Sequence, residues 1–141
     1  MATARPDPVT AAHDALIANI NAMLTVRGMK KAHLARKVAA IGGPTKKTIY
    51  NILSKTHPPN IKTWGALAKA LGAPLWVLLI PGLHEHEELL TVEAMTRMER
   101  LMDSYVAADP EHREEIETVA IAAAIRKRAK NALPHPGGAS K

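Results

Sequence analysis

The chain has 141 residues, enough for one domain or for one domain with an appendage, and its 47% of hydrophobic residues argues against wholesale disorder. Because it contains no cysteine, no long apolar segment and no signal sequence, we expect no disulfide framework, no membrane partner and a cytoplasmic location. Its net charge of +6 is unevenly placed: residues 1–83 hold eleven Lys and Arg against two Asp and Glu, whereas residues 84–141 hold eight against eleven. The first half is therefore expected to attract a polyanion.

Five helices are predicted in the basic half, between a disordered arm at 1–9 and a domain boundary at 83. Thr10, Thr45 and Asn60 are expected N-caps, and Gly28 and Gly72 are expected stops, because these residue types favour helix ends. The predicted helices cover residues 11–27, 30–39, 46–53, 61–71 and 74–79.

In the first four of these helices, mostly apolar residues recur at three- and four-residue steps and are expected to form a face directed to the core. The two tryptophans, Trp64 and Trp76, are expected in the core rather than as base-stacking groups. The predicted inward residues are Leu16, Ile20, Met23, Leu24, Arg27, Leu34, Ala35, Val38, Ile49, Ile52, Leu53, Ile61, Trp64, Leu67, Ala68 and Leu71.

The second half is predicted to be a helical pair at 84–131 followed by a disordered tail at 132–141. Its first helix is expected as one long segment over 85–106, and its second over 110–130, with Asp109 as N-cap and Pro110 in the first turn. No strand pattern is present anywhere. The fold class expected from the sequence is all-α: a five-helix domain and a C-terminal helical pair.

Three stretches carry a family resemblance: RGMKKAHLARKV, PTKKTIYNIL and PPNIKTWGALAKALGAPLWVLL. Together, over residues 16–82, they resemble the lambda-repressor-like (Cro/C1, XRE) helix-turn-helix family of phage or prophage repressor type. The resemblance implies a five-helix domain that reads double-stranded DNA. The chain departs from the family at Lys31, where glutamine is usual, in a longer turn at 39–44, and at 53–55, where an acid and a glycine often close helix three.

The polar face of the predicted third helix suits a DNA groove. Lysine can donate to guanine and asparagine can pair with adenine, so Lys46, Lys47 and Asn51 are expected to contact bases, with Tyr50 divided between base and backbone. Lys69 is expected on an ordinary solvated face. Phosphate contacts are expected from Lys30 and Lys31 at the start of helix two, and from Lys55, Asn60, Lys62 and Thr63 after helix three. Thr45 and Thr48 are expected to contact a phosphate or a thymine methyl.

An apolar stripe runs through the second half, which is too short to form a good core by itself. We expect it to pack against the same stripe of a second chain, giving a homodimer; the alternative is a flap that covers its own domain. The predicted dimerisation residues are Leu89, Val92, Met95, Met98, Leu101, Met102, Tyr105, Ile116, Val119, Ile121 and Ile125.

The function expected from the sequence is sequence-specific regulation of transcription, as a repressor that binds an inverted-repeat operator. The alternatives are an antitoxin-like protein whose second half binds a protein partner, such as a toxin or an antirepressor, and an architectural protein without sequence preference. No enzyme activity, cofactor or metal is expected, because phosphate-loop and nucleophile motifs are absent and His84 and His86 point to different sides of a helix.

Overall fold

A computed structural model describes residues 7–56 and 58–132. All regular structure in this part of the chain is helical, which confirms the all-α prediction. No helix within the described ranges combines the length and the apolar character needed to cross a membrane. The helices are α1 Pro8–Val26, α2 Lys31–Ala40, α3 Lys46–Leu53, α4 Ile61–Leu71, α5 Leu75–Leu78, α6 Val92–Ala107 and α7 Pro110–Ala132, with 3-10 turns at Leu83–Glu85 and Glu87–Leu89.

Polar caps set the bounds of α3 and α4 where they were predicted. The Thr45 hydroxyl accepts the Thr48 N–H at 3.4 Å, the Asn60 side chain accepts the Lys62 N–H at 3.0 Å, and Gly72 ends α4 at a φ of 61°. Each cap satisfies backbone groups that a helix end would otherwise leave without a partner.

The first helix begins earlier than predicted. Asp7, not Thr10, is its N-cap, because the Asp7 carboxylate accepts the Thr10 N–H at 3.1 Å. Residues 7–9, which were predicted as part of the arm, therefore belong to the start of α1. The rest of the predicted arm, 1–6, and residues 133–141 of the predicted tail lie outside the described residues.

One core joins α1 through α5. The predicted inward residues are buried in it, with three exceptions: Ile61 and Trp76 are exposed, and Arg27 is half-buried. Trp64 is buried as predicted, and its indole N–H donates to His13 at 3.2 Å. The largest fully buried side chains include Leu16, Ile20, Met23, Leu34, Ile49, Ile52 and Leu67.

This core continues past the boundary predicted at 83. Leu83, Leu90 and Met95 are buried in the same cluster, and the first compact unit of the chain extends to Glu99. A second unit begins at Arg100. Met95, predicted as a dimerisation residue, is fully buried within its own chain and is not available to a partner.

The prediction of one long helix over 85–106 is wrong for the first part of this range. Two 3-10 turns occupy this region, and α6 begins at Val92, with the Thr91 hydroxyl accepting the Ala94 N–H at 3.1 Å. The Arg27 side chain fixes this path, since it donates to the Leu90 carbonyl at 3.1 Å and to the Leu71 carbonyl at 2.7 Å. Its partial burial lowers the pKa of the guanidinium.

A short turn links α2 to α3. Because α2 continues to Ala40, the turn is shorter at its start than the predicted 39–44, and Gly42 within it has a φ of 78°. Gly43 lies against both neighbouring helices: a Cβ at this position would be 2.4 Å from Cγ1 of Val38 and 3.2 Å from Cβ of Ala66. The absence of a side chain at Gly43 therefore lets the turn pack on α2 and α4, which fixes where α3 begins.

The variant Gly43→Ala is expected to lower the free energy of unfolding by about 1–3 kcal/mol, because the new methyl group overpacks this contact. Gly65→Ala is the matched control. Gly65 lies inside α4 with nothing within 4 Å of its Cβ direction, so the same change should raise the free energy by up to about 1 kcal/mol through helix propensity. Urea denaturation of both variants measures the difference. Equal stabilities would contradict the close approach at Gly43.

Candidate nucleic-acid interface

The third helix has two distinct faces. Residues three and four apart share a helix face, and Ile49, Ile52 and Leu53 are buried on the inner one. Lys46, Lys47 and Tyr50 are exposed on the outer side, and Asn51 is half-buried beside them. The structure therefore places the residues predicted to contact bases on a helix whose inner face is anchored in the core.

One lysine of this outer face lies over an aromatic ring. Lys46 Nζ is 5.5 Å from the centre of the Tyr50 ring, one helical turn further along α3. Such a contact orients the ammonium group without neutralising it. Within the described residues neither Lys46 nor Lys47 forms an ion pair, so both charges are available to an anion.

The start of α2 shares a surface with α3. Tyr50, Lys30 and Lys31 line one shallow pocket of about 540 Å³. No side chain caps the start of α2. The His33 N–H donates to the Lys30 carbonyl at 3.0 Å, which leaves the N–H groups of Lys31 and Ala32 without a hydrogen-bond partner among the described residues. Backbone N–H groups at a helix start, together with positive charge, suit a phosphate.

A second shallow pocket, of about 450 Å³, lies along the turn that precedes α3. The turn residues 41–44 line one side of it, and Lys62 and Lys69 of α4 line the other. Lys69, predicted on an ordinary solvated face, is exposed and lines the same pocket as Lys62. Their spacing of seven residues, which returns to the same helix face, was the signal that could have identified it.

Three of the residues predicted to contact DNA also contribute to the fold. The Thr45 hydroxyl and the Asn60 side-chain oxygen are engaged as N-caps of α3 and α4. Thr63 is only 8% exposed, and it lines the pocket along the turn that precedes α3. These residues position the interface by fixing where α3 and α4 begin.

The electrostatic field around α3 is strongly positive. Asp7 and Asp14 are the only carboxylate side chains before Glu85. Among the described residues of this segment, one ion pair forms, between Lys55 Nζ and Asp14 at 3.7 Å, and both side chains are largely exposed. The other lysines around α3 keep their charge unpaired, which favours a polyanionic partner.

Lys55 also has an unusual backbone conformation. It follows α3 with a φ of 63°, and the Thr56 N–H donates back to the Asn51 carbonyl at 2.9 Å, which closes the helix end. This left-handed conformation costs a residue with a Cβ about 1–2 kcal/mol, and glycine usually occupies it. The end of α3 is therefore closed by a strained lysine.

We expect Lys55→Gly to raise the free energy of unfolding by about 0.5–1 kcal/mol, because relief of the backbone strain exceeds the loss of an exposed ion pair. Lys55→Ala is the matched control: it removes the same charge but keeps the strain, so it should not stabilise. Thermal unfolding of the two variants separates the effects. A stability gain in the alanine variant would show that the charge, not the backbone, is unfavourable.

Comparison of the chain with protein-family models, with curated proteins and with solved structures finds no match. The family resemblance therefore stays a prediction. In the described ranges, no group of three or more His, Asp or Glu side chains is arranged to hold a metal ion.

Proposed function

We propose that this protein is a sequence-specific, double-stranded DNA-binding regulator of transcription, of phage or prophage repressor type. In this proposal α2 and α3 act as a helix-turn-helix, and α3 enters the major groove. One observation carries it: the outer face of α3 presents Lys46, Lys47, Tyr50 and Asn51 and no acid, while its inner face is fully buried. A helix anchored in this way can lie in the groove without exposing its core.

The side chains match what a groove offers. Lysine donates to O6 and N7 of guanine, and the asparagine amide pairs with N6 and N7 of adenine, so Lys46, Lys47 and Asn51 supply base recognition. Lys30 and Lys31 flank Tyr50 and would hold the phosphates of one strand. Lys62 and Lys69, beside the turn, add charge at a second position. Repression then needs only occupancy of a promoter by a protein without further activity.

Selection of bound duplexes from a random pool tests this proposal. The selected duplex should bind at least about 10³-fold more tightly than random duplex at one fixed salt concentration, as specific proteins do. A homodimer would select an inverted repeat. A ratio near one would reject the regulator and leave an architectural DNA-binding protein.

The salt dependence of the binding affinity can show the loss of a single phosphate contact. Lys31→Ala should weaken binding to every duplex alike and reduce the slope of log affinity against log salt by about 0.9, because one fewer counterion is released. Arg97→Ala, which removes an exposed cation of α6 paired with Glu93, is the control and should leave the slope unchanged. Titrations between low and moderate salt measure both. An unchanged slope for Lys31→Ala would remove this residue from the interface.

The antitoxin-like alternative draws support from the exposed apolar side chains of α7, which could bind a foreign protein. Purification under native conditions distinguishes the two. A stable heterologous partner in stoichiometric amount would favour the antitoxin, whereas the chain alone, with affinity for a selected duplex, favours the regulator.

A further inference from the structure

Within the second compact unit, α6 covers little of the last helix. No residue of α7 is buried in the described structure, and Val119, Ile121 and Ile125 are 66%, 60% and 59% exposed. A helix of 23 residues is about 34 Å long, and an isolated helix is marginal in water unless one of its faces is covered. The apolar side chains of α7 therefore require a partner surface.

Contacts between α6 and α7 lie near their junction. Asp109 caps α7 as predicted, and the His112 N–H that it accepts at 2.9 Å lowers the pKa of its carboxyl group. Arg113 donates to the Tyr105 carbonyl at 2.9 Å, and the Tyr105 hydroxyl donates to Glu117, which raises the pKa of Tyr105. These bonds hold the first two turns of α7 and leave Ile121 and Ile125 uncovered.

The two exposed isoleucines belong to a heptad stripe. Along α7, residues spaced by four and three steps share one face, and on this face Ile121 and Ile125 are flanked by Glu114 at one end and Arg128 at the other. Ile116 and Val119 lie on a different face of the helix. The four α7 residues predicted to form one dimerisation stripe are therefore divided between two faces.

Charge is segregated along α7. Its first half is acidic and its second half is basic, with the isoleucine pair between them. A second copy of the same helix is complementary to this arrangement only when the two helices run in opposite directions, because a parallel pair would place like charges together. The acids are Glu111, Glu114, Glu115 and Glu117, and the bases are Arg126, Lys127, Arg128 and Lys130.

We propose that α7 pairs antiparallel with α7 of a second copy of this chain. Ile121 of one copy packs against Ile125 of the other, and the reverse, across a twofold axis. The acidic half of each helix then faces the basic half of its partner. This pairing specifies how the homodimer of the proposed function forms, but it does not require DNA, so sedimentation of the free protein tests it independently of operator selection.

Two single-cysteine variants test the direction of pairing, since the native chain has no cysteine. Thr118 of one helix lies opposite Arg128 of the other in the proposed register. Thr118→Cys and Arg128→Cys, refolded together in a glutathione buffer, should form a mixed disulfide-linked dimer, whereas each variant alone should not. Cross-linking of each variant with itself would show parallel pairing and overturn the proposal.

Charge reversal tests the electrostatic part. Glu114→Lys with Glu115→Lys should raise the dissociation constant of the dimer about tenfold or more. In the proposed register both positions lie within one helical turn of Arg128 of the second copy, so the reversal turns attraction into repulsion. Glu93→Lys, a single charge reversal on α6 within the first compact unit, is the control and should have no such effect. High salt should weaken the wild-type dimer. Sedimentation equilibrium measures the dissociation constants of the two variants and of the wild type at low and high salt. A monomeric wild-type chain, or equal dissociation constants for both variants, would overturn the proposal.

Discussion

Joint replacement of Lys46 and Asn51 by alanine is expected to weaken binding to the selected duplex by about 2–6 kcal/mol, from about 1–3 kcal/mol for each lost base contact. Affinity for random duplex should fall much less. Both side chains lie on the outer side of α3, and neither belongs to the core. The loss should therefore appear in recognition rather than in folding.

Competition titrations against the selected and random duplexes measure this effect, and circular dichroism checks that the helices remain. Lys31→Ala is the comparison, because a phosphate contact should affect all duplexes equally. The two single variants should differ in the base positions at which discrimination is lost. If the double variant weakened every duplex by the same factor, α3 would not be the helix that reads sequence.

The second large effect is expected on stability. Asn19 is fully buried in α1, and its amide nitrogen donates to the carbonyls of Leu78 at 2.8 Å and Ile80 at 2.9 Å. Asn19→Ala removes both bonds and leaves the carbonyls without this donor. We expect the free energy of unfolding to fall by about 2–4 kcal/mol, which corresponds to a melting temperature about 10 °C lower.

Asn21→Ala is the control for this prediction. Asn21 lies on the same helix and is half-buried. Its backbone carbonyl accepts the Thr25 hydroxyl, but its side chain forms no hydrogen bond with the described residues. Its replacement should change the melting temperature little. Well below the transition, Asn19→Ala should bind DNA as the wild type does. A normal melting temperature for Asn19→Ala would mean that its two hydrogen bonds contribute little to holding α5 and the chain after it.

The parts of the fold that depend on local chemistry were predictable. The bounds of α3 and α4 follow from Thr45, Asn60 and Gly72, which act on neighbouring residues, and the buried face of each helix follows from its periodicity. The break before α6 was missed because it depends on Arg27, which bonds to a carbonyl 63 residues away. Thr91, which caps α6, was a local signal that the apolar periodicity of this segment obscured.

In the candidate interface, too, the parts that depend on local sequence were predictable. Lys46, Lys47 and Tyr50 were identified because helical spacing alone places them outside. The places of Asn60 and Thr63 in the fold were missed, because the polar atoms that suit a phosphate also suit a helix cap or a buried position. Only coordinates show that Asn60 caps α4 and that Thr63 is buried. The spacing of Lys62 and Lys69 places them on one face of α4. That this face lies across from the turn depends on how closely Gly43 approaches α4, which no pattern in the sequence encodes.

Lys55 has a consequence for how this protein would respond to directed evolution. A left-handed lysine at the end of α3 is a poor choice for stability, since glycine or asparagine adopts that conformation more easily. Libraries screened only for heat resistance should therefore accumulate replacements at this position early. Libraries screened for operator occupancy should retain the lysine. The difference in how often lysine is kept under the two screens would measure what its charge contributes to DNA binding.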